Sequence, residues 1–190
     1  TTLETNSGGS VTPETNANEL VVQDNASAGI SILSATDGYG SINFGDSGDD
    51  NIGIINYDHP NNAMKLFTNG AERMRIISGG TLLIAKTAEE RNNVGLELSP
   101  VGKAVITRSG GTTLELNRKS SDGDLINFYR DNTQRGTISI EGTDNLHIEC
   151  TTTDHAGLKF AGDVIIPRRN YSDNDNNLDL GKSTNRWKDI

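Results

Sequence analysis

The sequence predicts an all-β fold of short antiparallel strands, and three observations carry that expectation. Apolar residues fall in short runs with a period near two, as in GISIL, SINF, MKLF and RMRII, the pattern of strands that bury one face. Turn clusters such as TDGYG, GDSGDDN, YDHPNN and TNG separate these runs, at the spacing of about ten residues typical of a meander. Gly and Asn each number 21 of the 190 residues. These two types enter the left-handed backbone region at least cost, so tight turns are frequent and the strands between them short.

Residues 1–18 are rich in Thr, Asn, Gly and Glu and read as an extended linker or arm with no core of its own. A first β module is expected over 19–90, with strands in ELVV, GISIL, SINF, IGII, MKLF, RMRII and TLLIA. In TAEERNN, Thr87 and Glu90 have capping-box spacing, but a helix of one or two turns is marginal alone. A polar connector is the stronger reading of that stretch. A second module is expected over 91–166, with strands in VGLEL, KAVITR, TLELNR, LINFYR, GTISI, NLHIE, LKFA and DVIIP. It echoes the first. Ile42, Asn43 and Phe44 recur 84 positions later as Ile126, Asn127 and Phe128, and Ile30, Ser31 and Ile32 correspond to Leu114, Glu115 and Leu116 at the same offset. Gly53 matches Gly136 at 83 and Met64 matches Leu146 at 82. Such drifting offsets point to a pseudo-repeat of a module that stacks along an axis. Residues 167–190 form a C-terminal segment.

Leu, Ile, Val and Phe together make 43 of 190 residues, just above the level of roughly one fifth at which chains become disordered. A thick, self-sufficient core is therefore not expected. Three chains wound round a common axis would share one core and cover one another's strand edges. The expected architecture is an elongated, intertwined homotrimer, a shaft of the β-prism or triple-β-helix kind. A net charge of −9 argues against nucleic acid or an anionic membrane as partner, because both require clustered Lys and Arg. No apolar run reaches the roughly 20 residues of a membrane-spanning helix, so membrane insertion is not expected. Cys150 is the single cysteine and cannot form an intrachain disulfide. A chain that starts at Thr1 reads as a piece of a longer one.

Three stretches resemble one family. In TNGAERMRIISGGTLLIAKT at 68–87, the residues Gly70, Glu72, Arg73, Met74, Arg75 and Ile76 match a recurrent strand, Gly-turn, strand phrase. Ala85 stands where that phrase usually has Gly, so the turn there is expected to open differently. In GGTTLELNRKSSDGDLINFYRDNTQRGTISIEG at 110–142, the matching residues are Leu114, Leu116, Asn117, Arg118, Asp122, Gly123, Phe128, Arg130, Gly136 and Ile138. Here LELNR and LINFYR read as two strands of a hairpin closed at SSDGD. In IIPRRNYSDNDNNLDLGKSTNRWKDI at 165–190, Pro167, Asp179, Leu180, Gly181, Arg186, Trp187 and Lys188 are in place. The chain thus resembles bacteriophage tail-fibre and tailspike chains of the kind that precede an endosialidase-type intramolecular chaperone. The resemblance implies a trimeric virion fibre, joined to other tail proteins on its N-terminal side and attaching to a bacterial surface receptor. The chaperone domain that would follow the last phrase is absent from this sequence.

Little in the sequence asks for chemistry. His59, His147 and His155 lack metal-ligand spacing, and His147 and Glu149 would share a strand face that Cys150 leaves. The acidic turns 45–51 and 172–179 read as solvated turns; the second has Leu178 and Thr184 where an EF-hand loop needs Gly and Glu. No Ser-His-Asp pattern, nucleophile elbow or phosphate loop is present, and carboxylate pairs arise by chance among 26 acidic residues. No enzyme activity, cofactor or metal is expected. Two rival readings stand beside host attachment by non-catalytic recognition of a surface glycan or outer-membrane protein. They are a polysaccharide depolymerase of the tailspike type and a mechanical fibre connector. The loops TDGYGSINFGDSGDDN and INYDHPNNAM offer Tyr39, Phe44, Tyr57 and His59 as receptor contacts. Trp187, Leu180, Phe128 and Ile126 are the expected trimer-packing residues, since aromatic and large apolar groups dominate interface cores.

Overall fold

The computed structural model describes residues 2–4, 14–17, 20–142, 144–174, 181–182 and 185–186, and every regular element among them is a strand. Strand β1 (Thr2–Glu4) pairs parallel with β2 (Val21–Gln23). The chain divides into two compact units, 1–113 and 114–190. The first carries a seven-stranded antiparallel meander of β3 (Tyr39–Phe44), β4 (Gly53–Asp58), β5 (Ala63–Thr68), β6 (Ala71–Ile76), β7 (Leu82–Ile84), β8 (Gly95–Leu98) and β9 (Ala104–Thr107). The second carries a six-stranded meander of β10 (Gly123–Arg130), β11 (Thr133–Glu141), β12 (Asn145–Cys150), β13 (Ala156–Ala161), β14 (Val164–Arg169) and β15 (Ser172–Asp173). A last pair, β16 (Gly181–Lys182) and β17 (Asn185–Arg186), lies in the C-terminal segment.

Several sequence expectations need correction. The junction placed at 90/91 falls inside the first sheet, because β8 and β9 continue the meander from β7. TAEERNN forms bends and turns rather than a helix. The hairpin that uses LINFYR is closed at Asp131-Asn132, not at SSDGD, and its partner is β11. Both turn residues have positive φ, 49° and 60°, as a type I′ turn requires, and the same holds at Asn69-Gly70 between β5 and β6,. LELNR and GISIL form no strand among the described residues. Neither has regular structure, and the backbone of 28–34 and of 113–119 makes no backbone–backbone hydrogen bond to a described residue. Every other predicted strand is present.

The two failed strands correspond to each other in the pseudo-repeat, and the structure gives that repeat a physical meaning. Phe44 lies across from Gly53 on β4, and Phe128 across from Gly136 on β11. A Cβ at Gly53 would sit 3.5 Å from Phe44 Cβ, and one at Gly136 would sit 3.8 Å from Phe128 Cδ2. The glycines leave the space over which a cross-strand ring can lie. In each unit, therefore, an apolar segment outside the sheet precedes a strand whose Phe faces a Gly on the following strand.

Burial is inverted relative to an ordinary sheet. On one face of the first unit the strand register aligns Ile42, Ile55, Leu66, Met74, Ile84, Leu96 and Ile106 in one unbroken row. A second row on that face joins Gly40, Tyr57, Met64, Ile76, Leu82, Leu98 and Ala104. None of these fourteen residues is buried. The buried residues lie on the opposite, polar side, among them Asn56, Asp58 and Glu97. The second unit repeats the arrangement. Ile126, Ile138, Ile148, Leu158 and Pro167 form an apolar row, none of it buried among the described residues, while Thr137, Ser139, His147, Glu149 and Arg168 are buried on the other face. Among the described residues only Ala63 and Leu83 are buried apolar side chains, against ten polar or charged ones. The described residues of one chain thus build no hydrophobic core, although their apolar side chains are ordered in rows suited to one,.

A third two-residue turn, Asn170-Tyr171 between β14 and β15, also has both φ positive, 53° and 63°. Tyr171 carries a Cβ that the left-handed region penalises. Tyr171→Gly is expected to stabilise the fold by about 1 kcal/mol, read as a higher urea midpoint. An unchanged or lower midpoint would show that the Tyr171 ring makes contacts worth more than the strain.

Candidate functional site

The four residues expected to meet a receptor do not form one surface. Tyr39, Phe44 and Tyr57 lie in strands rather than loops, because the runs YGSINF and GIINYD pair along their whole length. Tyr39 and Phe44 sit at opposite ends of β3, and strand alternation sends them to opposite faces. Both are more than half exposed. Tyr57 and His59 do come together, edge to face with ring centroids 4.9 Å apart. With Ile32, Ile42, Ile55 and Met64 they line an apolar recess of about 220 Å³ on the apolar face. This location suits packing better than recognition of a polar ligand. Ile126 and Phe128 lie on the apolar side of the second sheet, Phe128 half exposed and Ile126 less so. Leu180 and Trp187 lie outside the described residues.

A larger, polar cleft of about 570 Å³ lies between β6 and the connector 85–94, lined by Glu72, Arg73, Ala85, Lys86, Thr87, Asn92, Asn93 and Val94. Two backbone irregularities build it. The β5–β6 ladder shifts register between Leu66 and Phe67, so Arg73 is the extra residue of a β-bulge, a device that re-aims the side chain it carries. Beside it Ala85 takes φ +57° while its N–H donates to the Arg73 carbonyl at 3.0 Å. Ala85 therefore takes a left-handed conformation that favours Gly,.

The connector has no secondary structure, yet it is tied down at many points. Lys86 Nζ donates to the Glu90 carbonyl at 2.7 Å, Thr107 Oγ1 to the Arg91 carbonyl at 2.8 Å and Thr81 Oγ1 to Glu89 at 2.6 Å. Gly95 closes it with φ +137°, where a Cβ would stand 2.5 Å from the Ile84 carbonyl oxygen. Only Gly fits there. Within the cleft Arg75 holds both oxygens of Glu72, at 2.5 and 2.6 Å, and this ion pair pushes the Arg75 guanidinium up from its ordinary value. Glu72 thus has both carboxylate oxygens engaged by Arg75,. Among the described residues it is the only carboxylate lining the cleft. The sequence offered one signal for this site, the Ala in the Gly position, and its meaning depended on the paired bulge.

The polar faces hold the buried ion pairs among the described residues. On the first, Lys65 binds Asp58 at 2.5 Å, and Lys103 and Lys86 flank Glu97 at 2.7 and 3.4 Å. On the second, Arg168 joins Glu149, Glu141 and Asp173. His147 lies between Glu149, 3.3 Å from Nδ1, and Glu141, 3.1 Å from Nε2. Cys150 leaves that face, as strand alternation requires, and its thiol lies 3.3 Å from His155 Nδ1. In the acidic turn at 45–51, Asp46 Oδ1 accepts from the backbone N–H of Gly48 and Asp49, which is turn chemistry,. The 172–179 turn lies largely outside the described residues.

The Lys65, Lys103 and Lys159 ammonium groups hold Asp58, Glu97 and Asp173 respectively below their ordinary values of 3.8, 4.5 and 3.8. A carboxylate with a depressed folded-state pKa contributes stability above its unfolded value and loses it as pH falls through the folded one. The urea midpoint is expected to stay flat above about pH 5 and to fall below pH 4.5 and further below pH 3.8,. A midpoint that rises on acidification in that window would contradict the assignment.

Comparison of the chain with protein-family models, with curated proteins and with solved structures returned no match.

Proposed function

We propose that this chain is part of a homotrimeric bacteriophage tail fibre, a non-catalytic structural protein of the virion that attaches the particle to its bacterial host. The observation that carries the assembly is the pair of exposed apolar sheet faces. Two seven-residue rows on the first sheet and one five-residue row on the second are laid out in register, and none of their residues is buried among the described residues. Identical copies related by a threefold axis would meet through these faces and share one core. The segments 28–34 and 113–119, unpaired among the described residues, fit the same reading, since backbone groups without partners are satisfied when a neighbouring chain supplies a strand edge. The virion and host-attachment parts rest on the three tail-fibre-like stretches. Of these, Trp187 and Leu180 would pack near a chaperone junction, while other tail proteins would join at the N-terminal arm.

Sedimentation equilibrium tests the assembly. The expected mass is three times 20.4 kDa, with no folded monomer on dilution. A monodisperse monomer with native circular dichroism would end the proposal. Cell binding by the labelled trimer tests attachment; a trimer that binds no bacterium the phage infects would be a mechanical connector instead.

A further inference from the structure

We propose that the polar cleft between the β6 bulge and the connector 85–94 is a binding site for an acidic saccharide, with Arg73 as its carboxylate anchor. The inference rests on the host-attachment reading for its biological setting, and on the cleft itself for its chemistry. The lining falls into groups already committed and groups left over. Glu72 is held by Arg75 through both oxygens, Lys86 is buried and bound to Glu90 and Glu97, and Asn93 Nδ2 donates to Glu90 Oε2 at 3.0 Å. Arg73 spends only Nε, on the carbonyl and hydroxyl of Thr68 at 3.3 and 3.2 Å. Its terminal nitrogens form the planar fork that meets a carboxylate with two parallel hydrogen bonds. With Nε fixed and the backbone bulged, the fork is oriented before a ligand arrives, which lowers the entropy cost of binding.

The rest of the lining favours a sugar over a bare anion. Asn92, exposed on the tied connector, offers an amide donor and an acceptor suited to vicinal hydroxyls,. Val94 is half exposed beside it, and with the methyls of Ala85 and Thr87 it provides an apolar wall for the C–H face of a pyranose. A small inorganic anion would use the Arg73 fork and leave this wall and amide idle. The strained Ala85 places these groups together, and residues held in costly backbone conformations cluster at ligand clamps. No acid–base pair is present among the lining residues described, so the site binds and does not cleave.

The test is ligand-observed saturation-transfer NMR on the full chain with glucuronate, galacturonate and N-acetylneuraminate as probes and glucose as the neutral comparison. Transfer is expected to at least one of the three acids and at most weakly to glucose. It should fall at least fivefold in Arg73→Gln and in Asn92→Ala and persist in Tyr39→Ala, with each variant's circular dichroism and sedimentation unchanged. Transfer to none of the acids, equal transfer to glucose, or full transfer in Arg73→Gln would overturn the site. Sedimentation of the same samples keeps the two readings apart. A trimer that takes up no acid removes the cleft and leaves the fibre, whereas a folded monomer that takes up an acid through Arg73 keeps the cleft and removes the fibre.

Discussion

Arg168→Ala is expected to lower the stability of the chain by about 3–5 kcal/mol, the range for removing one partner of a buried ion pair. Arg168 is 4% exposed and Glu149 7%, and the guanidinium spans Glu149, Glu141, Asp173 and the Tyr171 carbonyl. Without it, Glu149 keeps a buried charge whose remaining neighbour is His147. The pair can form because Gly157 stands between them, opposite Glu149 on one side and opposite Arg168 on the other. A Cβ at Gly157 would approach Glu149 Cγ to 2.7 Å, so Gly157→Ala should destabilise by the same route. The double variant Glu149→Ala/Arg168→Ala is expected to cost clearly less than the sum of the single ones, because no buried charge is left alone. Urea unfolding of the full chain reads all four proteins. Additive single effects, or a loss below about 1 kcal/mol for Arg168→Ala, would mean that the cluster is worth no more than a surface ion pair.

The strands were legible because alternation and turn residues are local signals. SINF, MKLF and LINFYR needed nothing but their own pattern, and Asn69-Gly70 closes a hairpin by its own φ preference,. GISIL and LELNR carry the same pattern and still make no strand, because alternation reports that a segment can pair and not that an edge is available in its own chain. The repeat was legible as drifting offsets, and its cause, a Phe facing a Gly across the first two strands, required the register. Neither the inverted burial nor the cleft could be read beforehand. Which face of a strand is covered depends on partners in three dimensions. The cleft depends on Arg73 and Ala85, twelve positions apart in sequence, being bulged beside one another. The placement of Tyr39, Phe44 and Tyr57 in loops failed for a related reason: Gly and Asp nearby were read as loop, although paired strands run through all three.

Ile148→Lys is expected to abolish the assembly while changing a single chain little. Ile148 is 46% exposed and lies mid-row between Ile138 on β11 and Leu158 on β13. In an isolated chain a lysine there would reach water by extending its aliphatic stem. At a shared threefold core the same substitution places three ammonium groups among apolar side chains with no partner, each costing several kcal/mol. The association free energy loses that amount three times over, so the species in sedimentation should shift from three chains to one, or to unfolded chain if the monomer is not stable alone. Leu66→Lys on the first sheet should act alike, since Leu66 lies between Ile55 and Met74 in the corresponding row. Asp163→Lys, at the exposed tip between β13 and β14, changes charge by more and should leave the trimer intact. If Ile148→Lys and Leu66→Lys both sediment as wild type with unchanged urea midpoints, these faces are not where copies meet. The apolar rows would then need another cover, and the fibre reading would lose its main physical support.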